Sequence, residues 1–205
     1  MNVEEVIFDL AEFLRVPVLI LVIAALVVVL VETGAFVAEL LRRRRRDTAR
    51  LEQTAVRARE ALEADDVGTA QGLLWQVASS NAMAATLALV AARARGDRAD
   101  DRIAKALADF DYASVRRLER TRMLVRAGPA LGLMGTLIPL SPALAGLAEG
   151  DVAELSSNLR LAFSITVLGL LIGLLAFGIS LVRDRMYGHD LSDLEFVAAT
   201  LREGA

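Results

Sequence analysis

Two threonines, Thr136 and Thr166, pose the chemical question of this chain, because each sits near the middle of a long apolar run. A hydroxyl donates one hydrogen bond, accepts two, and does not titrate near neutral pH. It can orient water or a partner's polar group, or relay a proton, but it cannot hold a proton at rest. The ordinary alternative is a hydroxyl bonded to its own helix, at the carbonyl three or four residues back. The residues alone leave both readings open. No Asp, Glu, His or Lys falls between Ala127 and Ala148 or between Leu161 and Val182, although proton routes through membranes normally use an ionisable group. A chain that conducted protons past these threonines would need a carboxylate from another chain. Glu32 is the candidate acid considered within the first span, and its closeness to five arginines reads as a paired or snorkelling acid.

Other chemistries find little to work with. The chain has no cysteine, so it offers neither a disulfide frame nor a thiolate. A single histidine, His189, leaves almost no scope for a histidine metal site or a catalytic triad, and it is expected at the surface. There is no phosphate-binding loop and no nucleophile with its base. Trp75 and Tyr112 read as core or interface aromatics. The formal charge of -3 disfavours bulk nucleic-acid binding. We therefore expect no enzyme, no cofactor, no metal site and no nucleic-acid partner.

Each threonine belongs to a stripe of small residues. Gly128, Gly132 and Thr136 are spaced by four, with Gly135 beside them; Ala162, Thr166, Gly169 and Gly173 form the second set. On helices these positions share a face. Lipid offers helices no hydrophobic reason to associate, so small-residue stripes mark close helix packing in membranes. The run from Ala127 to Ala148 would reach ~33 Å as a helix, enough for a hydrocarbon core of ~30 Å. With 55% hydrophobic residues and a mean hydropathy of +0.48, concentrated in blocks, the sequence reads as an all-α membrane protein. Three transmembrane helices and a helical cytoplasmic domain between the first and second are expected.

In order, residues 1–15 make a short amphipathic extracytoplasmic helix at the membrane surface, too acidic at its front for a signal peptide. Residues 16–41 form the first transmembrane helix, starting near Pro17 and long enough to tilt or project. Arg42, Arg43, Arg44, Arg45 and Arg46 follow directly, a signal that holds this end in the cytoplasm. The cytoplasmic helical domain, 42–123, should contain a helix capped by Asp47 or Thr48 and running to about Ala64, then a turn at Asp65–Gly68. A second helix is expected from Thr69 to Arg95, and a third beyond Gly96-Asp97 that enters the membrane without a break. Arg116, Arg117, Arg120, Arg122 and Arg126 mark that entry. Residues 124–148 form the second transmembrane helix, with a kink or early exit at Pro139 and Pro142. An extracytoplasmic loop, 149–160, carries three acids and leads to the third transmembrane helix, 161–182. The cytoplasmic tail, 183–205, contains an amphipathic helix from Leu191 to Leu201 suited to a contact between subunits. The charge asymmetries agree on the N-terminus outside and the C-terminus inside.

The sequence resembles the MotA/TolQ/ExbB proton channel family. The resemblance rests on Pro129-x-x-Gly132-x-x-Gly135-Thr136, supported by Ala162-x-x-x-Thr166-x-x-Gly169-Leu170 and by the order of one span, a cytoplasmic helical domain and a two-span hairpin. It implies a homo-oligomeric ring, typically a pentamer, in the inner or plasma membrane. The ring would enclose an ExbD/TolR/MotB-like single-span protein with a membrane aspartate. By that resemblance Thr136 and Thr166 are pore-lining, and proton passage past the aspartate drives relative movement of ring and partner. Pro139, Leu161 and Leu175 depart from the family's pattern. They keep a second expectation open, a non-conducting membrane scaffold of the same fold.

Overall fold

The computed structural model describes residues 3–43, 47–148 and 150–203. Its helices are α1 (Val3–Phe13), α2 (Arg15–Arg42), α3 (Thr48–Glu63), α4 (Val67–Val77), α5 (Asn81–Arg93), α6 (Ala99–Ala148) and α7 (Val152–Arg202). Among the described residues there is no strand. Three stretches are long and apolar enough to cross a membrane: residues 6–42, α6 and α7. Of the five consecutive arginines, Arg44, Arg45 and Arg46 lie outside the described residues, as does Glu149.

The chain divides into two compact units. The first comprises Met1–Phe36 and Glu119–Leu181. Here α2 packs through Val18 and Val22 on Ile165, and through Ala25 and Val29 on Leu124, Ile172 and Ala176. The buried positions of α2 recur every three or four residues, so one stripe of an otherwise uniformly apolar helix faces its neighbours. Pro139 and Pro142, where a kink or early exit was expected, both stand inside α6, which stays helical to Ala148, so there is no early exit. Each proline removes one backbone donor, a loss that packed neighbours and local adjustments can absorb within a membrane helix. The connection that follows is also shorter than expected. Gly150 takes φ +86, open to glycine without strain, and the Asp151 side chain accepts from the Glu154 N–H at 2.9 Å. That cap starts α7 at Val152, so most of the expected loop 149–160 is helix.

The second unit comprises Val37–Leu118 and Val182–Ala205. Its core joins Leu51, Ala58 and Leu62 of α3, Leu74 of α4, and Met83, Leu87 and Val90 of α5. Ile103 and Phe110 of α6 and Leu194, Val197 and Leu201 of α7 complete it. The tail helix expected as a contact between subunits thus buries Leu194, Val197 and Leu201 inside its own unit. Asp47 caps α3 and Asp66 caps α4, each accepting a backbone N–H three residues on. The single helix expected from Thr69 to Arg95 is broken instead. Ala78 is extended, and Ser80 accepts from the Met83 N–H to begin α5. Serine side chains compete with the helical ladder for backbone partners, and two in succession here end one helix and open the next. Trp75 and Tyr112 are 49% and 71% exposed, so neither fills this core.

Candidate functional site: the seam between α6 and α7

Within the first unit the two small-residue stripes face each other at backbone distance. A Cβ placed on Gly128 would lie 2.7 Å from the Gly169 carbonyl oxygen and 2.8 Å from the Gly173 nitrogen. One placed on Gly169 would lie 2.6 Å from the Gly128 carbonyl oxygen and 2.7 Å from the Gly132 Cα. Gly173 meets the Pro129 ring in the same way, and Gly135 meets Ile165. Real Cβ atoms do not approach other atoms this closely, whether backbone at Gly128 and Gly169 or side chain at Gly173 and Gly135, so these four glycines are what lets the helices touch. Ala162 is buried on the same face of α7.

Thr166 lies on that seam, its Cα 3.5 Å from where a Cβ on Gly132 would stand. Thr136 continues the α6 stripe one turn beyond Gly132. Both threonines are half-buried. The Thr136 hydroxyl donates to the Leu133 carbonyl at 2.7 Å and the Thr166 hydroxyl to the Ala162 carbonyl at 3.2 Å. Each proton is therefore committed to its own helix, and the oxygen lone pairs are what remain to receive an external donor. The next residues outward on either helix are apolar and exposed, Leu133 and Leu137 on α6, Phe163 and Val167 on α7.

Sequence reasoning passed over other polar groups. In the first unit Arg15 donates to the Asn158 side chain at 3.4 Å, and Thr121 is fully buried on α6. In the second unit two groups of charges are gathered on α7. Glu39, near the end of α2, accepts from Tyr187 Oη at 2.9 Å and from Arg183 Nε at 3.2 Å. Burial, then the Glu39 charge, pushes the Tyr187 phenol above its ordinary pKa. One turn further, Arg43 pairs with Asp190, which also accepts from Ser79 and Ser80. Burial raises the Asp190 pKa, while the Ser79 bond and the Arg43 charge oppose the rise. The available signal was the spacing: 39 and 43 share one helix face, as do 183, 187 and 190. Nothing in the sequence said that those two faces meet.

Among the described residues, no three His, Asp or Glu side chains are grouped to hold a metal ion. A family model described as the MotA/TolQ/ExbB proton channel family matches residues 74–191, more than half of the chain. That span takes in α5, α6, the seam and both threonines. Among curated proteins none matches.

Proposed function

The chain belongs to the MotA/TolQ/ExbB proton channel family, and from that premise we propose that it is the pore-wall subunit of an ion-driven, energy-transducing complex. In this reading α6 and α7 face the lumen of a homo-oligomeric ring, a pentamer, in the inner or plasma membrane, and α2 lies outside them. A single-span partner of the ExbD/TolR/MotB type supplies the membrane aspartate. The observation that carries the reading is the backbone-close seam, which fixes Thr136 and Thr166 on two rigid, adjoining helices. With their own protons bonded to carbonyls, both oxygens accept: a protonated carboxyl or a water crossing the lumen would donate to them. They would solvate the carrier without competing for its proton. Each elementary charge passing through 100 mV would supply ~2.3 kcal/mol for movement of the partner.

One observation favours the second reading, a non-conducting scaffold of the same fold. Both hydroxyls are already satisfied locally, and their outward neighbours Leu133, Leu137, Phe163 and Val167 are apolar. The threonine pair discriminates between the two. Thr136→Val with Thr166→Val keeps shape and removes both oxygens. In vesicles holding the ring and its partner, ion-driven proton uptake should disappear while the ring's size by chromatography is unchanged. Uptake at the wild-type level would sink the pore assignment and leave the scaffold.

A further inference from the structure

The second unit contains a buried charge cluster that the pore reading does not use. Asp190 is 3% exposed on α7, and two segments distant in sequence converge on its carboxylate. Ser79 Oγ donates to Oδ1, Ser80 Oγ stands 3.4 Å from Oδ2, and Arg43 Nη2 pairs with Oδ2. Ser79 and Ser80 are the residues at which α4 gives way to α5, and Arg43 directly follows α2. Among the described residues, the charged groups facing Asp190 are Arg43, from the end of α2, and Asp193, itself 6% exposed on α7. The α4–α5 joint contributes only hydroxyls.

We propose that Asp190 and Arg43 form a proton-operated latch: uptake of a proton by the Asp190 carboxylate releases Arg43 and loosens the Ser79–Ser80 joint. The two kinds of partner respond differently to that proton. A serine hydroxyl can reverse, accepting from the new carboxyl O–H instead of donating to the carboxylate. A guanidinium has no lone pair with which to reciprocate, and its bond to a neutral carboxyl loses the charge assistance. Arg43 is poorly held otherwise, since its Nε is buried with no hydrogen-bond partner. Release takes that nitrogen to water. One turn before it, Glu39 keeps Arg183 and Tyr187, so the end of α2 retains an anchor while the latch opens.

The pH direction follows from Arg43. Asp190 is raised above 3.8, chiefly by desolvation and also by Asp193, against the pull of Ser79 and Arg43. With Arg43 released and the carboxyl still buried, the opposing charge is gone and the carboxyl holds its proton more tightly than in the closed latch. Acidification therefore favours the neutral, open latch within the folded state. The device needs no ion movement past Thr136 or Thr166, and the two ideas fail separately.

Hydrogen–deuterium exchange on the full chain in nanodiscs, corrected for intrinsic rates, tests it. On acidification from neutral pH, exchange around Arg43 and at 78–81 should rise by up to about tenfold per pH unit. Glu39→Gln should keep that response. Asp190→Asn should abolish it, with the joint equally open at every pH. Arg43→Gln should also abolish it, which keeps the test available should the Asp190 variant not fold. A pH-independent joint in the wild type, or an unchanged response in Arg43→Gln, would overturn the latch.

Discussion

At Gly128 one methyl group would decide whether α6 and α7 touch. The atoms it would meet, the Gly169 oxygen and the Gly173 nitrogen, are backbone, so no rotamer change can relieve the overlap. The helices would have to part. Gly128→Ala should lower stability by about 1–3 kcal/mol, the range for overpacking a filled core, read as a lower midpoint of unfolding in detergent. Gly178, on α7, has nothing within 4 Å of its would-be Cβ. Gly178→Ala should be neutral or stabilising by roughly 0.5–1 kcal/mol, the ordinary helix preference of alanine over glycine. Equal destabilisation by both would mean that the seam does not hold the helices together. The seam was legible because its signal is periodic and local: small residues four apart have few other uses in an apolar run. Asp190 was not legible, because a buried aspartate and a surface aspartate look alike until the chain brings Ser79 and Arg43 to one of them.

Among the helices, the start of α3 was legible, because Asp47 carries its own explanation, a side-chain oxygen beside unpaired N–H groups. Asp66 does the same for α4 at Val67, inside the stretch 65–68 that was expected to be a turn. The joint at Ser79–Ser80 was missed because apolar periodicity runs on through it, whereas the serine pair acts on hydrogen bonds and leaves that periodicity intact. The prolines of α6 misled in the opposite direction, suggesting an early exit that the helix does not make. The cap of α4 gives a pH prediction. Bonds from the Thr69 hydroxyl and Thr69 N–H hold the Asp66 carboxylate below its ordinary pKa of 3.8. Its support for α4 is therefore complete above 3.8 and is lost as pH falls through the lower folded value. The Thr69 amide should lose protection in that acid window. Asp66→Asn still caps and should show protection that does not vary there. If wild type and Asp66→Asn lose protection in parallel, the carboxylate is not what holds the turn.

For the whole molecule the governing fact is a mismatch of lengths. Helices of 50 and 51 residues have contours of ~75 Å, against ~30 Å of hydrocarbon. Less than half of α6 or α7 can lie in lipid, and composition says which part. In α6 the residues from Ala127 to Ala148 carry no charge, while Ala99 to Arg126 is rich in arginine and acids. The charged part contributes Ile103 and Phe110 to the core of the second unit, as α7 contributes Leu194 and Val197. Each of these helices therefore serves both units, with an uncharged apolar part in one and core residues in the other. The expected division of residues 149–205 into loop, span and tail is replaced by one helix from Val152 to Arg202. The arginines at 42–46 and 116–126 lead to a prediction about orientation, that these segments face the cytoplasm. The absence of cysteine makes this measurable with single replacements. Three exposed positions serve: Ala104 on α6, Val152 at the start of α7, and Ile20 in the apolar part of α2. In intact cells a membrane-impermeant maleimide should label Val152→Cys and spare Ala104→Cys, which should react only after lysis. Ile20→Cys should resist in both conditions, because its thiol would sit in hydrocarbon. Labelling of Ala104→Cys in intact cells, with Val152→Cys spared, would reverse the orientation and put the arginine-rich unit on the side that the positive-inside bias disfavours.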